Sequence, residues 1–175
     1  DTGMRGMDKQ QYLEEAVKEQ LAHMLAEGKL SQGYYDAVSV RKIVSFLNSK
    51  IAKRMADAAA AGKLYREQPF VLGLPANRLN ESFPPEETVL IQGIIDVFFE
   101  EKGSYIVVDY KTDAVKTPDE LIRRYQTQLD YYAEALDQLS GYKMTGEGVR
   151  TAEKVIYSFK LEQEINLDLA SVTLP

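Results

Sequence analysis

Gly93-Ile-Ile-Asp96 and Val108-Asp109-Tyr110-Lys111-Thr112 are the two segments that decide the fold. Each belongs to an apolar strand that carries an acid where a core residue is expected, with a turn predicted near Glu101-Lys102-Gly103-Ser104. Asp109 and Lys111 are two residues apart, so both side chains point to the same face of a strand. A turn at this place sets Asp96 opposite Asp109, with Cβ atoms about 4.5–5.5 Å apart.

Two half-buried carboxylates at this separation favour a cation between them, because like charges out of water drive one carboxylate to bind a proton. For either acid alone, hydrogen bonds from a turn or an arginine partner is the simpler explanation. Both acids together with Lys111 change that balance, because one magnesium ion satisfies both carboxylates with waters and a backbone carbonyl as further ligands. The pattern therefore predicts a metal site with a lysine beside it.

The composition narrows the possible classes of function. The 175 residues include 27% charged and 45% hydrophobic ones, typical of one globular domain, and no cysteine. Disulfides, thiol nucleophiles, zinc–cysteine sites and iron–sulfur clusters are thereby excluded, which fits a cytoplasmic protein. The sequence contains neither an apolar run long enough to span a bilayer nor a signal segment, so no membrane partner is expected.

Positive charge is concentrated in one part of this acidic chain, whose net charge is −6. Between Arg41 and Arg66 there are seven Lys and Arg residues and a single acid, Asp57. A solvated helix face is the simpler explanation of such a run. It becomes a candidate contact surface if the carboxylate site acts on a phosphate polymer.

Apolar spacing predicts a helical N-terminal part, 1–63, followed by a mixed part, 64–175. Helices are expected at 8–28, 39–62 and 118–139. Strands are expected at 64–72, 89–99, 105–110, 154–161 and 165–167, and a Pro- and Asn-rich loop at 74–87. Pro69 indicates an edge strand or a strand end.

Several segments together resemble a known family. They are Arg66-Glu67-Gln68-Pro69-Phe70, Gly93-x-x-Asp96, Asp109-Tyr110-Lys111-Thr112, Gln128-Leu129-x-x-Tyr132 and Ile156-Tyr157-Ser158-Phe159. In this order they resemble the RecB-type branch of the PD-(D/E)xK nucleases, and within it the nuclease domains of AddA-type helicase–nuclease subunits. The resemblance implies an α/β fold with a restriction-endonuclease-like core, in which helices flank a central mixed sheet.

The resemblance also implies a role for each residue of the site. Asp96 and Asp109 would hold Mg²⁺ or Mn²⁺ together with the backbone carbonyl of Tyr110. Lys111 would orient the attacking water, and Glu67 would add a ligand, directly or through water. An ion pair between Glu67 and a nearby base is an equal alternative.

Two further residues are implied by the resemblance to face the site and the DNA backbone. Gln128 and Tyr132 are one helical turn apart and therefore share a face. Plain packing of Tyr132 beside Leu129 and Leu136 is the alternative, and it is compatible with the first role.

The expected activity is metal-dependent hydrolysis of phosphodiester bonds in single-stranded DNA, as an exonuclease in double-strand-break repair, leaving a 5′-phosphate. A divalent metal at the carboxylates is expected to activate a water and polarise the phosphate. Candidate contacts to the DNA backbone are Lys53, Arg54, Arg123 and Arg124.

Some family features are missing from this sequence. The family's metal-binding histidine has no counterpart, since the single histidine, His23, lies between Ala22 and Met24 without the family's surrounding motif. There is no phosphate-binding loop, so ATP is expected to bind only in an upstream helicase part. The chain begins without methionine, which predicts a piece of a longer subunit. The resemblance implies a partner of the AddB type. A catalytically silent DNA-binding or docking module and a free-standing exonuclease remain the alternatives.

Overall fold

The computed structural model describes residues 8–170, which form seven α-helices and five strands. The helices are α1 (Lys9–Ala26), α2 (Gln32–Ala37), α3 (Val40–Leu47), α4 (Lys50–Ala60), α5 (Pro118–Leu139), α6 (Tyr142–Thr145) and α7 (Leu167–Ala170). The strands are β1 (Leu64–Pro75), β2 (Thr88–Glu101), β3 (Ser104–Lys111), β4 (Arg150–Ser158) and β5 (Gln163–Asn166). None of the helices within this range has the length and apolarity that crossing a bilayer requires.

The five strands form one mixed sheet in the order β1-β2-β3-β4-β5. Neighbouring strands are antiparallel except β3 and β4, which run parallel and are joined through α5. A parallel pair needs such a crossover, because the chain must return to the same end of the sheet. The α/β class with a helix-flanked mixed sheet, predicted from the sequence, is confirmed.

The chain divides into two compact units, with the division inside α4 between Lys53 and Arg54. In the first unit α1 packs against α2 and α3, and Val44 of α3 is fully buried. The second unit holds the sheet with α5, α6 and α7. The domain division predicted from the sequence, 1–63 and 64–175, stays a prediction.

The sequence explains why the β2–β3 hairpin and α5 form where they do. The turn between β2 and β3 contains Lys102 and Gly103, with φ of 52° and 77°, in the region that glycine adopts without strain. Helix α5 has Pro118 in its first turn, where the missing N–H costs nothing. The negative charges of Asp119 and Glu120 in the same turn stabilise the helix by interacting with the positive end of its dipole.

Helix α5 covers one face of the sheet through two apolar clusters. Its C-terminal half supplies Tyr132, Ala135 and Leu136 to a cluster with residues of β1, β2 and β3. Leu121 and Leu129 of the same helix join a second cluster with β4, β5 and α7. Gln128 of α5 accepts a hydrogen bond from Lys111 of β3, which places it over the sheet beside β3.

The helix predicted over 39–62 is wrong as a single element, because the structure contains two helices there. Helix α3 ends at Leu47, and α4 begins at Lys50. The hydroxyl of Ser49 accepts a hydrogen bond from the Ala52 N–H at 3.1 Å, which caps the new helix. Asn and Ser compete for backbone hydrogen bonds and favour such helix starts over helix interiors.

Smaller differences concern lengths and short elements. Helix α2 was not predicted, although the Ser31 hydroxyl caps it by accepting from the Tyr34 N–H at 3.4 Å. Strand β1 continues to Pro75 rather than ending near 72, and β4 begins at Arg150 rather than near 154. The expected edge position of the strand containing Pro69 is confirmed.

Strand β2 changes face near the site. Ile95 and Phe98 belong to the same buried cluster under α5 although they are three residues apart. On a regular strand an odd separation places side chains on opposite faces. The neighbouring position on β1 is Glu67, whose φ is 49°. The irregularity therefore lies at Glu67 and Asp96, between the two halves of β2.

Candidate active site and metal centre

The β2–β3 hairpin brings the two predicted acids to adjacent strands. Val97 of β2 pairs with Val108 of β3. Asp96 directly precedes Val97 and Asp109 directly follows Val108, so the two acids come opposite each other on antiparallel strands. Oδ2 of Asp96 accepts a hydrogen bond from the backbone N–H of Tyr110 at 3.2 Å. This bond ties the carboxylate of Asp96 to the backbone directly beyond Asp109, so the structure brings the two acids together.

Asp109 is the most buried charged group of the site, with 1% of the residue exposed. Burial raises the pKa of its carboxyl to about 6, the Lys111 ammonium acts in the opposite direction, and the neighbouring Asp96 raises the pKa further. At neutral pH Asp109 is therefore mostly ionised, but this charge is held in an unfavourable environment.

Lys111 follows Asp109 on the same face of β3. Its Nζ lies 2.6 Å from Oδ2 of Asp109 and 3.3 Å from Oε1 of Gln128. The same Nζ lies over the ring of Tyr125, 4.0 Å from the ring centroid. Only 14% of the lysine side chain is exposed, so the ammonium is fixed by these groups rather than by solvent.

Gln128 and Tyr132 face the sheet from one side of α5. The amide Nε2 of Gln128 donates a short hydrogen bond to the Tyr132 hydroxyl, while its Oε1 accepts from Lys111. Tyr132 is 6% exposed and packs edge-on against Phe70. Tyr132 thus packs in the core and also orients Gln128, so packing and a place at the site occur together.

A pocket opens beside Asp96. It has a volume of about 500 Å³ and is lined by Arg66, Glu67, Asp96, Val97 and Tyr110. Glu67 is exposed at the rim, in the left-handed backbone conformation described above. Glu67 and Asp96 thus both line this pocket.

The residues present fit a hard divalent cation. Within residues 8–170 no three Asp, Glu or His side chains are grouped to hold a metal by themselves. Oδ2 of Asp109 is nevertheless a buried acceptor without an aligned hydrogen-bond donor in this part of the chain, and Lys111 meets it only as an ion pair. Mg²⁺ keeps several waters and needs few protein oxygens, so Asp96, Asp109 and the Tyr110 carbonyl suit it.

The four predicted DNA contacts differ in how free their charges are. Lys53 and Arg123 are exposed. Arg124 is also exposed, with Asp113 at 3.6 Å and Glu120 at 3.9 Å.

Arg54 is already engaged by protein carboxylates. Its guanidinium donates to Glu101 at 2.8 and 3.0 Å and to Glu153 at 2.9 and 3.0 Å. These bidentate pairs raise the pKa of Arg54 far above its usual range. Arg54 therefore links β2 to β4 with four of its five N–H donors, and its contact with DNA stays a prediction.

His23 lies in α1, and its imidazole is 64% exposed, 3.4 Å from a carboxylate oxygen of Glu27. That His23 has no role at a metal site stays a prediction.

Sequence reasoning missed two residues that bear on the lysine, Tyr125 and Asp113. The Tyr125 hydroxyl donates to Oδ1 of Asp113 at 2.7 Å while its ring lies under the Lys111 ammonium. Tyr125 lies three residues before Gln128 on α5, so helical spacing already placed the two on one face. That spacing is the sequence signal that indicates Tyr125.

The profile of the PD-(D/E)XK nuclease superfamily matches residues 3–171. The chain belongs to the PD-(D/E)XK nuclease superfamily. The family resemblance predicted from the sequence is confirmed.

Members of the superfamily similar to this chain include curated proteins named as subunits of an ATP-dependent helicase/nuclease. The protein from Clostridium botulinum (strain Alaska E43 / Type E3) is 40% identical over 153 residues, covering 85% of this chain and 12% of that protein. The protein from Clostridium perfringens (strain SM101 / Type A) is 36% identical over 168 residues, covering 92% and 13%. The chain thus spans about an eighth of the length of these relatives.

Proposed function

We propose that this chain is a divalent-metal-dependent deoxyribonuclease that hydrolyses phosphodiester bonds. The observation that carries the proposal is the convergence of Asp96, Asp109 and Lys111 at one end of the β2–β3 hairpin, in a chain of a nuclease superfamily. A buried carboxylate such as that of Asp109 is costly for folding, and together with the lysine beside it suits a site that handles a cation and an anionic substrate.

In this proposal Asp96, Asp109 and the carbonyl of Tyr110 hold Mg²⁺ or Mn²⁺, and Glu67 adds an oxygen directly or through water. The bound metal supplies Lewis acidity toward the scissile phosphate and lowers the pKa of water. A water oxygen forms the new bond to phosphorus, the P–O3′ bond breaks, and the 3′ oxygen takes up a proton. The products are a 5′-phosphate and a 3′-hydroxyl.

The chain's own side chains orient and stabilise the reacting groups. The Lys111 ammonium, fixed by Gln128, hydrogen-bonds the attacking water and stabilises negative charge that develops on the phosphate. Tyr132 fixes the Gln128 amide from behind, so that its carbonyl oxygen stays turned toward the lysine. Catalysis by this arrangement is mainly positioning and electrostatic stabilisation.

We further propose single-stranded DNA as the substrate and an exonuclease mode, within a helicase–nuclease that acts in double-strand-break repair. Support comes from the relatives, which are named as helicase/nuclease subunits and of whose length this chain spans about an eighth. In the full-length protein, ATP would bind outside this chain, and an AddB-type subunit would be the partner. The exposed Lys53, Arg123 and Arg124 would contact DNA phosphates.

The test is cleavage of end-labelled single-stranded DNA in EDTA, Mg²⁺ and Mn²⁺ by the wild type and by Asp109→Asn. Asp57→Asn, which removes an exposed acid of α4, is the matched control. Metal-dependent cutting that is lost in Asp109→Asn and kept in Asp57→Asn supports the proposal. Circular single-stranded DNA should resist an exonuclease, so cutting of the circle would refute that mode.

Absence of cutting by the wild type would refute a self-sufficient nuclease. Metal binding by Asp96 and Asp109 is then measured separately, by titrating Mn²⁺ into wild type and Asp109→Asn in a calorimeter. Metal and DNA binding without cutting would favour a catalytically silent DNA-binding module.

A further inference from the structure

Tyr125 contacts the lysine of the site and has no role in the reaction proposed above. Its ring lies under the Lys111 ammonium, with 4.0 Å between Nζ and the ring centroid. This is well within the roughly 6 Å at which a cation and an aromatic face attract each other. Because 86% of the lysine side chain is withdrawn from solvent, the attraction is only weakly screened.

The ring is itself held in place from the loop that follows β3. Its hydroxyl donates to Oδ1 of Asp113 at 2.7 Å, and this hydrogen bond lowers the pKa of Asp113. Asp113 lies two residues after Lys111, so one short segment supplies both the cation and the anchor of the ring beneath it. Tyr125 therefore links α5 both to Lys111 at the end of β3 and to the loop that follows β3.

The three contacts of the Lys111 ammonium differ in what a bound metal does to them. Oδ2 of Asp109, at 2.6 Å, is also the acceptor that fits the metal, so the lysine competes with the metal for this oxygen. The amide of Gln128 and the ring of Tyr125 face no such competition. Lysine has a flexible four-carbon stem, so it needs a restraint when its carboxylate partner is taken.

We propose that Tyr125 is a positioning residue for Lys111, and that Asp113 positions the Tyr125 ring. The ring face holds the ammonium by charge–quadrupole attraction without offering it a competing hydrogen-bond acceptor, so all its N–H donors beyond Gln128 stay available for water and phosphate. The catalytic part of this inference rests on the nuclease function proposed above. The placement of the lysine on the ring does not.

The first test uses three variants of Tyr125 and its anchor in the cleavage assay. Tyr125→Leu removes the ring face and should lower kcat about 10-fold with little change in KM for DNA. Tyr125→Phe keeps the face and should stay within about threefold of the wild type, with Asp113→Asn between the two. Tyr34→Leu, at a ring that is 72% exposed, is the control for loss of a tyrosine. Equal kcat in Tyr125→Leu and Tyr125→Phe would overturn the proposal.

The second test needs neither metal nor cleavage. In metal-free protein the ¹H and ¹³C signals at Cε of Lys111 should show an upfield ring-current shift, identified by their loss in Lys111→Arg. The shift should persist in Tyr125→Phe and disappear in Tyr125→Leu, with circular dichroism confirming that each variant is folded. An unchanged shift in Tyr125→Leu would refute the placement. A wild type that shows the shift but does not cut DNA would refute the proposed function instead.

Discussion

Asp109 is expected to destabilise the metal-free protein at neutral pH, so that Asp109→Asn should be more stable than the wild type. The carboxyl has a pKa of about 6 in the folded chain against 3.8 for an unperturbed aspartate. One pKa unit corresponds to about 1.36 kcal/mol, so the shift amounts to about 3 kcal/mol at most. Because the residue is 1% exposed, solvent screening does not reduce this figure much.

The sign follows from which state binds the proton more tightly. Between pH 4 and pH 6 the folded chain keeps the Asp109 proton while the unfolded chain loses it, so stability from this group falls as the pH rises. Below about pH 4 both states are protonated, and the wild type should match the asparagine variant. Above about pH 7 the full difference is present, and asparagine resembles the protonated acid in shape and charge.

The assay is urea unfolding in EDTA at pH 4, 6 and 8, followed by circular dichroism. Asp109→Asn should exceed the wild type in free energy of unfolding by about 1–3 kcal/mol at pH 8 and by little at pH 4. Asp113→Asn is the control of opposite sign, because the Tyr125 hydrogen bond lowers the pKa of that acid. A less stable Asp109→Asn at pH 8 would refute the reasoning, since it would mean that Lys111 more than offsets the burial of the charge.

Three further predictions concern the same region. Mn²⁺ affinity, measured by calorimetry, should be nearly constant above pH 7 and fall about tenfold per pH unit below pH 6, because a proton and the metal compete for Asp109. An affinity that does not change with pH would exclude Asp109 as a ligand. Glu67→Gly should unfold at a free energy about 1 kcal/mol higher than Glu67→Ala, since φ is 49° there; equal values would show no strain. Arg54→Met should lower the free energy of unfolding by about 1–2 kcal/mol and leave DNA affinity unchanged, whereas Arg123→Ala should weaken DNA binding alone. The opposite result would make Arg54 the DNA contact.

The sequence predicted the hairpin, α5 and the meeting of Asp109 with Lys111 because these depend on local rules. Alternation of side chains along a strand, the Lys102–Gly103 turn and Pro118 at a helix start are each set within a few residues. The break at Asn48–Ser49 is also local, but the apolar repeat continues through it. A periodic pattern alone therefore joined α3 and α4 into one helix.

Other features depend on contacts that a single sequence does not display. The pairing of Arg54 with Glu101 and Glu153 joins residues 47 and 99 positions apart, so a basic run gave no hint that this arginine was already paired. The sequence alone did not single out Tyr125, because its partner Lys111 lies on another element. Charge runs predict an electrostatic surface only after each member's partners are known.

The change of face in β2 explains how one side of the sheet serves both the core and the site. Without it, the strand that presents Ile95 to α5 would turn Asp96 to the opposite face, away from Asp109. The irregularity at Glu67 and Asp96 lets Ile95 and Phe98 both pack under α5 while Asp96 lies beside Asp109. The cost is a strained residue on β1, and that residue is Glu67, the acid that shares a pocket with Asp96. The strained residue thus lies on the strand next to Asp96, which supports this end of the sheet as the site of chemistry independently of the family motifs.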